Sequence, residues 1–361
     1  MQSAAVGAGG LALGCDGGGA GWGRRPSQGA KRLNVFNWSD YIHEDAIAQF
    51  EEQTGATVVY DNYASDSELE TRLATGAGNY DVVFPSDRAM VALLAKDLLL
   101  PLARQQLANF GNLDGEFLGL PFDEDNRFSV PYFWGTLAVG VRSDLCPVAA
   151  RGLEVLFDAK LLISAKLRRR ITMLDDMENV VAAALSHLGH PLNSVEPAHL
   201  QAAQGLLLAQ KPLVQAYTSD SYRERLISGD AWAALGWSGD LLQADAELQK
   251  LGRESARVRV IVPPTGTMLW IDSMVIPRRA QNVELAHAFI NHLLAARVAA
   301  MNAEKVSYAT PNQAARALLP AEMLADESIY PPAEVVQRCT WLKNRGAEIE
   351  KVERVWRVVR A

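Results

Sequence analysis

Three short segments of the chain place a tryptophan close to an aspartate. They are Trp38 and Asp40, Trp237 and Asp240, and Trp270 and Asp272. A carboxylate pairs with an ammonium group, and an indole ring covers methylene groups while offering its π face to a cation. An aliphatic diamine or triamine needs both, because it carries a charge at each end and hydrocarbon between. The segments therefore predict a site for such a cation.

The predicted affinity follows from the same groups. Two or three charged hydrogen bonds, at about 1.5 to 3 kcal/mol each, together with an aromatic sandwich, would reach about −8 kcal/mol, a micromolar Kd. That affinity suits capture and release. Each segment also has a structural alternative: Asp40 would be a helix N-cap, Asp240 would begin the next helix, and Trp270 would be a core residue. Three such pairs, each following a predicted strand, favour one common site.

Signatures of catalysis and of metal binding are absent from the sequence. There is no H-E-x-x-H, G-x-S-x-G or P-loop motif, and the cysteines at 15, 146 and 339 form no C-x-x-C pair. We therefore expect no catalytic residue, metal or cofactor, and no enzyme activity. An enzyme or a ligand sensor on the same scaffold remains the alternative from another class.

Composition limits the class of protein further. The 361 residues carry 42 acidic and 35 basic side chains, for a formal charge of −7, and favour two domains. No apolar run approaches the roughly 20 residues that span a bilayer as a helix, which excludes an integral membrane transporter. An acidic chain without a basic stripe is a poor partner for nucleic acid.

The first thirty residues differ from the rest. Residues 1–30 are rich in Gly, Ala and Ser and cannot build a core, so they are predicted to be a disordered leader. The apolar stretch 4–14 followed by Cys15 resembles a bacterial lipoprotein signal, which would anchor the protein through a lipid on Cys15. The alternative is a misplaced start codon or a degraded leader.

The folded part is predicted to begin at Lys31 with alternating strands and helices. Strands are predicted at 33–36, 57–60 and 80–84, with helices ending at Gly55 and spanning 67–75. This alternation implies a parallel sheet, and ligands of open α/β sheets sit at the carboxyl ends of strands. The loops 37–41 and 85–88 both fall there.

Further elements are predicted downstream. A strand-rich stretch covers 128–141, and later strands are predicted at 171–174, 231–237, 258–262 and 274–277. Helices are predicted at 178–188, 197–210 and 283–294. A terminal amphipathic helix carries Ile349, Val352, Val355 and Trp356 in register and is expected to dock on its own domain.

Several blocks of sequence, in order, carry a resemblance to a known family. The blocks are DVVFPS at 81–86, NLD at 112–114, PYFWG at 131–135, GWSGD at 236–240, DS at 272–273, TPN at 310–312 and YPPAE at 330–334. From Lys31 to its C-terminus the chain resembles the periplasmic putrescine- and spermidine-binding proteins of bacterial ABC polyamine transporters. The GWSGD and YPPAE blocks are closer to the putrescine-binding type.

The resemblance implies an α/β fold, the two-lobed type II periplasmic binding protein fold, with a ligand cleft between lobes joined by crossover hinge strands. Lobe 1 would hold 31–141 and 273–311, and lobe 2 would hold 142–272 and 312–361. The protein would be a periplasmic monomer that captures a polyamine, putrescine above all, and delivers it to ABC transporter permease subunits.

The resemblance also implies a set of ligand-binding positions. They are Trp38, Ser39, Asp40, Tyr41, Ser86, Asp176, Trp237, Asp240, Trp270, Asp272 and Tyr308. By the resemblance, Asp272 would bind one terminal amine and the Trp270 ring would flank the methylene groups.

Three positions depart from the family pattern. Asn179 stands where many members have an acidic residue, with Glu178 one position earlier. Arg88 replaces an aromatic residue of spermidine binders and would repel a cation if it faced the pocket, and Leu342 replaces a glutamine of the spermidine type. These departures argue against a spermidine-type site. Arg88 also keeps open an alternative cargo with a carboxylate, such as an amino acid or an opine.

Overall fold

The computed structural model describes residues 31–149, 151–253, 255–343 and 345–361. Cys15 and the predicted leader lie outside the described residues. The strands are β1 Arg32–Trp38, β2 Thr57–Tyr63, β3 Val82–Val83, β4 Val130–Arg142, β5 Ile171–Met173, β6 Val214–Tyr217, β7 Ala233–Trp237, β8 Val258–Ile261, β9 Met268–Met274 and β10 Thr340–Trp341.

Fifteen α-helices pack around these strands in the described residues. They are α1 Glu44–Thr54, α2 Asp66–Thr75, α3 Asp87–Ala95, α4 Glu154–Phe157, α5 Ala159–Ser164, α6 Met177–His187, α7 Pro197–Gln210, α8 Tyr222–Ser228, α9 Ser238–Lys250, α10 Val283–Leu293, α11 Ala296–Val306, α12 Gln313–Arg316, α13 Ala321–Leu324, α14 Ala333–Val336 and α15 Ile349–Arg360. None of these helices is long and apolar enough to cross a membrane.

The first sheet has the parallel order β2-β1-β3 that the alternating pattern predicts. Its third strand is shorter than predicted and contains only Val82 and Val83. Helix α1 is capped by His43, whose Nδ1 accepts from the backbone N–H of Asp45, so the interpretation of Asp40 as the N-cap is wrong. Asp40 instead has a positive φ of 53° in the turn after β1.

The second sheet has the order β10-β9-β4-β7-β5-β6, with β8 also paired to β4. Strand β4 is 13 residues long and buried throughout. Its first half pairs with β9 and its second half with β7 and β8. Isolated bridges from Val275 to Val83 and from Asp272 to Ser86 join the end of β9 to the first sheet. Strands β4 and β9 therefore run from one lobe into the other.

Two large apolar clusters define the two lobes. The Leu33 cluster of the first lobe includes Val82, Phe133 and Phe289, and the Ile171 cluster of the second includes Leu207 and Leu235. Since roughly 25 cal/mol is gained per Å² of apolar surface removed from water, each cluster holds its own lobe together. As predicted, α15 docks on its own domain, because Val352, Val355 and Val359 are buried in the Ile171 cluster.

The boundaries of the lobes stay predictions, except that the packing corrects two of them. The sequence places Asp272 at the end of a second-lobe segment, but Asp272 bridges to Ser86 and accepts a hydrogen bond from Tyr41, and both partners belong to the first lobe. The sequence places 312–361 in the second lobe, but Ala315 and Leu319 are buried in the Leu33 cluster. The chain therefore leaves the first lobe later than residue 312. The predicted strand at 274–277 is also wrong, because β9 ends at Met274 and the next residues form only isolated bridges.

Candidate functional site

A cavity of about 390 Å³ lies between the lobes, within the usual range for ligand pockets. Ten of the eleven positions that the sequence analysis singles out line it. They are Trp38, Ser39, Asp40, Tyr41, Ser86, Trp237, Asp240, Trp270, Asp272 and Tyr308. The exception is Asp176, which does not line the cavity. That these residues bind a ligand stays a prediction.

The prediction that Trp270 and Asp272 follow a strand is wrong, because both residues lie within β9. Asp272 reaches the cavity because of the pleat of this strand. Side chains alternate along a strand, so Trp270 and Asp272 share one face while Ile271, fully buried, points to the other. Asp272 is 6% exposed, and its Oδ2 accepts a hydrogen bond of 2.6 Å from the Tyr41 hydroxyl. Burial raises the pKa of Asp272 well above its usual value, although the Tyr41 hydrogen bond acts in the opposite direction.

Two further carboxylates, Asp66 and Asp87, line the cavity on the same lobe. Burial raises the pKa of Asp87 to about 7, and it also raises that of Asp66, although the 2.6 Å hydrogen bond from Ser86 Oγ opposes this. The negative charges of Asp66 and Asp87 both raise the pKa of Asp272 further. This group of acids therefore favours a cationic ligand, whose charge would offset their mutual repulsion.

Asp240 is the corresponding carboxylate of the second lobe. It lies in the first turn of α9, where the helix dipole favours a negative charge. Its two oxygens accept hydrogen bonds from Tyr222 at 2.6 Å and from Tyr308 at 2.8 Å. Burial raises the pKa of Asp240, and the two hydroxyl groups offset part of that increase. Because Tyr222 packs in the Ile171 cluster and Tyr308 in the Leu33 cluster, this carboxylate is held by both lobes.

The two glycines of the GWSGD block have a packing role at this site. A Cβ on Gly236 would lie 2.4 Å from the Tyr222 ring, and one on Gly239 would lie 2.3 Å from the Tyr308 ring. Contacts that short are sterically forbidden, so only glycine lets the Tyr222 ring approach the backbone of β7 and the Tyr308 ring approach that of α9. The glycines thus allow the two hydroxyl groups to reach Asp240.

Aromatic rings form the walls between the two carboxylates. Trp270 meets Trp237 edge-to-face at 6.2 Å and Tyr308 at 4.8 Å between ring centroids. The rings of Tyr41 and Tyr308 lie 5.8 Å apart, and each tyrosine donates to a different anchor carboxylate. The structural alternative for Trp270 as a core residue is only partly right, since the half-buried side chain packs on the Leu33 cluster and also lines the cavity.

The rim of the cavity is charged. Asp40 is exposed and lies 3.6 Å from Arg223 of the second lobe, whose Nη1 donates to Gln243 at 2.8 Å. Ser39 is exposed beside Asp40. Acidic side chains nevertheless dominate the lining: Asp40, Asp66, Asp87, Asp220, Glu224, Asp240 and Asp272 outnumber the two arginines, Arg88 and Arg223.

Asp176 is directed to another partner. Its Oδ1 caps α6 by accepting from the backbone N–H of Asn179 at 3.0 Å, and its Oδ2 lies 2.9 Å from Arg88 Nη2. Both Arg88 and Asn179 line the cavity, as does Leu342. The carboxylate expected to anchor a ligand from the second lobe is therefore already paired with a side chain of the first lobe.

Sequence reasoning missed several cavity residues. Asp87 follows Ser86 in a loop that was already predicted to line the site, and Asp66 begins α2 just after a strand of the same sheet, so the strand-end rule would have found both. Tyr222, Arg223 and Gln243 carried no such signal, because they come from helices of the other lobe. Among the described residues, no group of three or more His, Cys, Asp or Glu side chains could hold a metal ion.

Comparison with known proteins gives a consistent result. The family model for bacterial extracellular solute-binding proteins matches residues 45–331. The putrescine/cadaverine-binding protein of Pseudomonas aeruginosa is 36% identical over 331 residues, covering 91% of this chain and 93% of the relative. The putrescine-binding periplasmic protein PotF of Escherichia coli is 35% identical, covering 92% of each chain.

A solved structure shows the same fold. The spermidine/putrescine ABC transporter substrate-binding protein PotD of Streptococcus pneumoniae superimposes with a TM-score of 0.81 at 30% identity, covering 92% of this chain and 99% of that one. The two-lobed type II periplasmic binding protein fold is thereby confirmed. The family comprises extracytoplasmic transport proteins and is not an enzyme family. The chain belongs to the bacterial extracellular solute-binding proteins, in the group that contains the periplasmic putrescine- and spermidine-binding proteins.

Proposed function

We propose that this protein captures a short polyamine, putrescine above all, in the cavity between its lobes and delivers it to the permease subunits of an ABC transporter. The observation that carries the proposal is an aromatic-walled cavity with a carboxylate on each lobe, the buried Asp272 and the half-buried Asp240. Each would pair with one ammonium, and Trp270 would cover the methylene groups between them. The names of the relatives support the same class of ligand.

Delivery would follow from the hinge strands. Strands β4 and β9 cross between the lobes, and residues of both lobes line the cavity. A ligand that pairs with Asp272 on one lobe and Asp240 on the other would favour the closed arrangement, since it binds that state better. The closed surface would then be the one that the permease recognises.

The alternative of an amino acid or opine depended on Arg88 as a receptor for a carboxylate. The pairing of Arg88 with Asp176 removes that support. We also propose that the protein acts as a monomer and binds no nucleic acid. We further propose that it has no catalytic activity, since its relatives are named as solute-binding proteins.

A ligand panel tests the proposal. Thermal unfolding of the full chain with putrescine, cadaverine, spermidine, spermine and agmatine should show the largest rise in midpoint with a diamine, because binding to the folded state alone stabilises it. Glutamate and γ-aminobutyrate serve as controls with a carboxylate. No rise with any amine at millimolar concentration, or a rise with the controls alone, would overturn the proposal.

Attachment to a membrane through Cys15 is a separate part of the proposal. It depends on the apolar stretch that precedes this cysteine in the sequence. Expression in a bacterial host should place the protein in the membrane fraction and Cys15→Ala in the soluble periplasmic fraction. Equal partition of the two would contradict the lipid anchor and leave the ligand proposal intact.

A further inference from the structure

Arg88 extends from the first lobe into the second. It lies in the first turn of α3, and its guanidinium forms a two-pronged pair with Asp176, at 2.9 Å from Nη2 to Oδ2 and 3.4 Å from Nη1 to Oδ1. Nη1 also lies 3.6 Å from Oε2 of Glu178. Such planar two-point pairs are the strong form of the arginine–carboxylate contact. A single first-lobe cation therefore holds both acids at the start of α6.

The two acids at the start of α6 have further partners within the protein. The other oxygen of Glu178, Oε1, accepts from Arg345 at 2.6 Å, and the Arg345 side chain is only 3% exposed. Asp176 Oδ1 is further used by the backbone N–H of Asn179. The second-lobe acids are thus neutralised by arginines of the protein itself.

On its other side, Arg88 faces the carboxylates of the first lobe. Its positive charge lowers the pKa values of Asp66, Asp87 and Asp272, against the larger effect of burial. Arg88 also lines the cavity, as does Asn179. The guanidinium therefore lies at the wall of the cavity between the carboxylates of the first lobe and those at the start of α6. A ligand ammonium placed there would interact with the same carboxylates.

We propose that Arg88 is a built-in cation that replaces a ligand ammonium at Asp176 and Glu178, so that the site accepts two cationic groups and rejects a third by charge rather than by length. This inference rests on the proposed function. A diamine would still meet Asp272 and Asp240, the two carboxylates that Arg88 does not bind. A third ammonium directed towards α6 would meet the like charge of Arg88, and displacing Arg88 would break a half-buried ion pair.

A pair of ligands separates charge from size, because the longer of the two carries the smaller positive charge. Spermidine has three cationic groups, and N1-acetylspermidine keeps the four-carbon diamine while its third amine is neutral. By calorimetry on the full wild-type chain, we expect N1-acetylspermidine to bind at least about fivefold more tightly than spermidine, and putrescine to bind at least about tenfold more tightly than spermidine.

Two variants then test the residue. In Arg88→Gln the preference should reverse, with spermidine binding more tightly than its acetylated form, because Asp176 and Glu178 become available to the third ammonium. Arg88→Lys keeps the positive charge and should keep the wild-type order. Unfolding midpoints of both variants establish that they fold, and the comparison of the two spermidines on the wild-type chain needs no variant.

The outcomes separate the two proposals. If the wild-type chain binds putrescine but binds spermidine as tightly as its acetylated form, or if Arg88→Gln leaves the order unchanged, Arg88 is not the discriminating cation. If the wild-type chain binds none of the three amines, the proposed function itself is wrong.

Discussion

Asp272 and Asp240, the two carboxylates proposed to anchor the ligand, are held in different ways. Asp272 lies on a strand that crosses between the lobes, and a single side-chain donor, the Tyr41 hydroxyl, reaches it. Asp240 lies in the first turn of a helix and accepts from two tyrosines. The balance of neighbouring charges differs as well. Asp66 and Asp87 each raise the pKa of Asp272 more than Arg88 lowers it, whereas Arg223 lowers the pKa of Asp240 more than Glu224 raises it.

This difference indicates which anchor depends more on the ligand. A buried carboxylate with few donors and with acidic neighbours is costly to keep ionised, so an arriving ammonium stabilises it most. Asp240 is already stabilised by two hydroxyl groups, a helix N-terminus and a nearby guanidinium, and it gains less from a cation. We therefore expect Asp272 to contribute more to the free energy of ligand binding than Asp240.

The largest expected effect is that of Asp272→Asn. The amide keeps the shape and can still accept from Tyr41, but it leaves a buried ammonium without its counter-charge, which costs about 3 kcal/mol or about 100-fold in Kd. Calorimetric titration with putrescine measures the loss. Glu52→Gln, which neutralises an exposed acid outside the cavity, is the matched control and should bind as the wild type does.

Asp240→Asn should have a smaller effect, about tenfold in Kd, or about 1.4 kcal/mol, in the same titration. The asparagine oxygen can keep one tyrosine as a donor, and Asp272 remains to hold the other ammonium. A loss equal to or larger than that of Asp272→Asn would show that the comparison between the two anchors is wrong.

Gly239→Ala tests the second-lobe anchor without changing its charge. The added methyl group would lie 2.3 Å from the Tyr308 ring, which must move and withdraw its hydroxyl from Asp240. We expect about a fivefold weaker Kd for putrescine, or about 1 kcal/mol. Gly205→Ala, on a helix with open space around the new Cβ, is the matched control. Unchanged binding by Gly239→Ala would mean that the Tyr308 contact does not support the site.

The smallest expected effect is a dependence on pH that originates in the first lobe. Asp87 has a pKa of about 7, so at pH 7 its carboxyl group is protonated in half of the molecules. A cation must displace that proton to pair fully with the carboxylate. Affinity for putrescine should therefore fall about twofold between pH 8 and pH 7. Titrations in buffers of different ionisation enthalpy should show protons released on binding, and uptake instead of release would contradict the assignment.

Stability of the ligand-free protein should change in the opposite sense. The folded state holds the Asp87 proton more tightly than the unfolded chain, in which an aspartate titrates near pH 4. The contribution of this group to the free energy of unfolding is then present in full below about pH 4 and is lost as pH rises to about 7. Unfolding midpoints of the wild type and Asp87→Asn between pH 5 and pH 8 measure that contribution.

Much of the fold follows from local patterns. The alternation of short apolar strands with capped helices predicts the parallel β2-β1-β3 order, and helix α7 has the bounds that its periodicity predicts. The strand predicted at 274–277 lies instead at Met268–Met274, because Trp270 and Asp272 interrupt the apolar pattern on the face that lines the cavity. A polar residue on a strand is expected where a functional site needs it.

The sequence by itself determined the types of group at the site and the family to which the chain belongs, since the three pairs of tryptophan and aspartate and the blocks of family sequence are visible without coordinates. Tertiary structure alone decided how the charges are divided. Arg88 and Asp176 are 88 residues apart in the chain, and nothing in the sequence around either residue predicts that they form a contact. Long-range packing brought them together, and that contact turned an expected ligand anchor into a partner of the protein's own arginine.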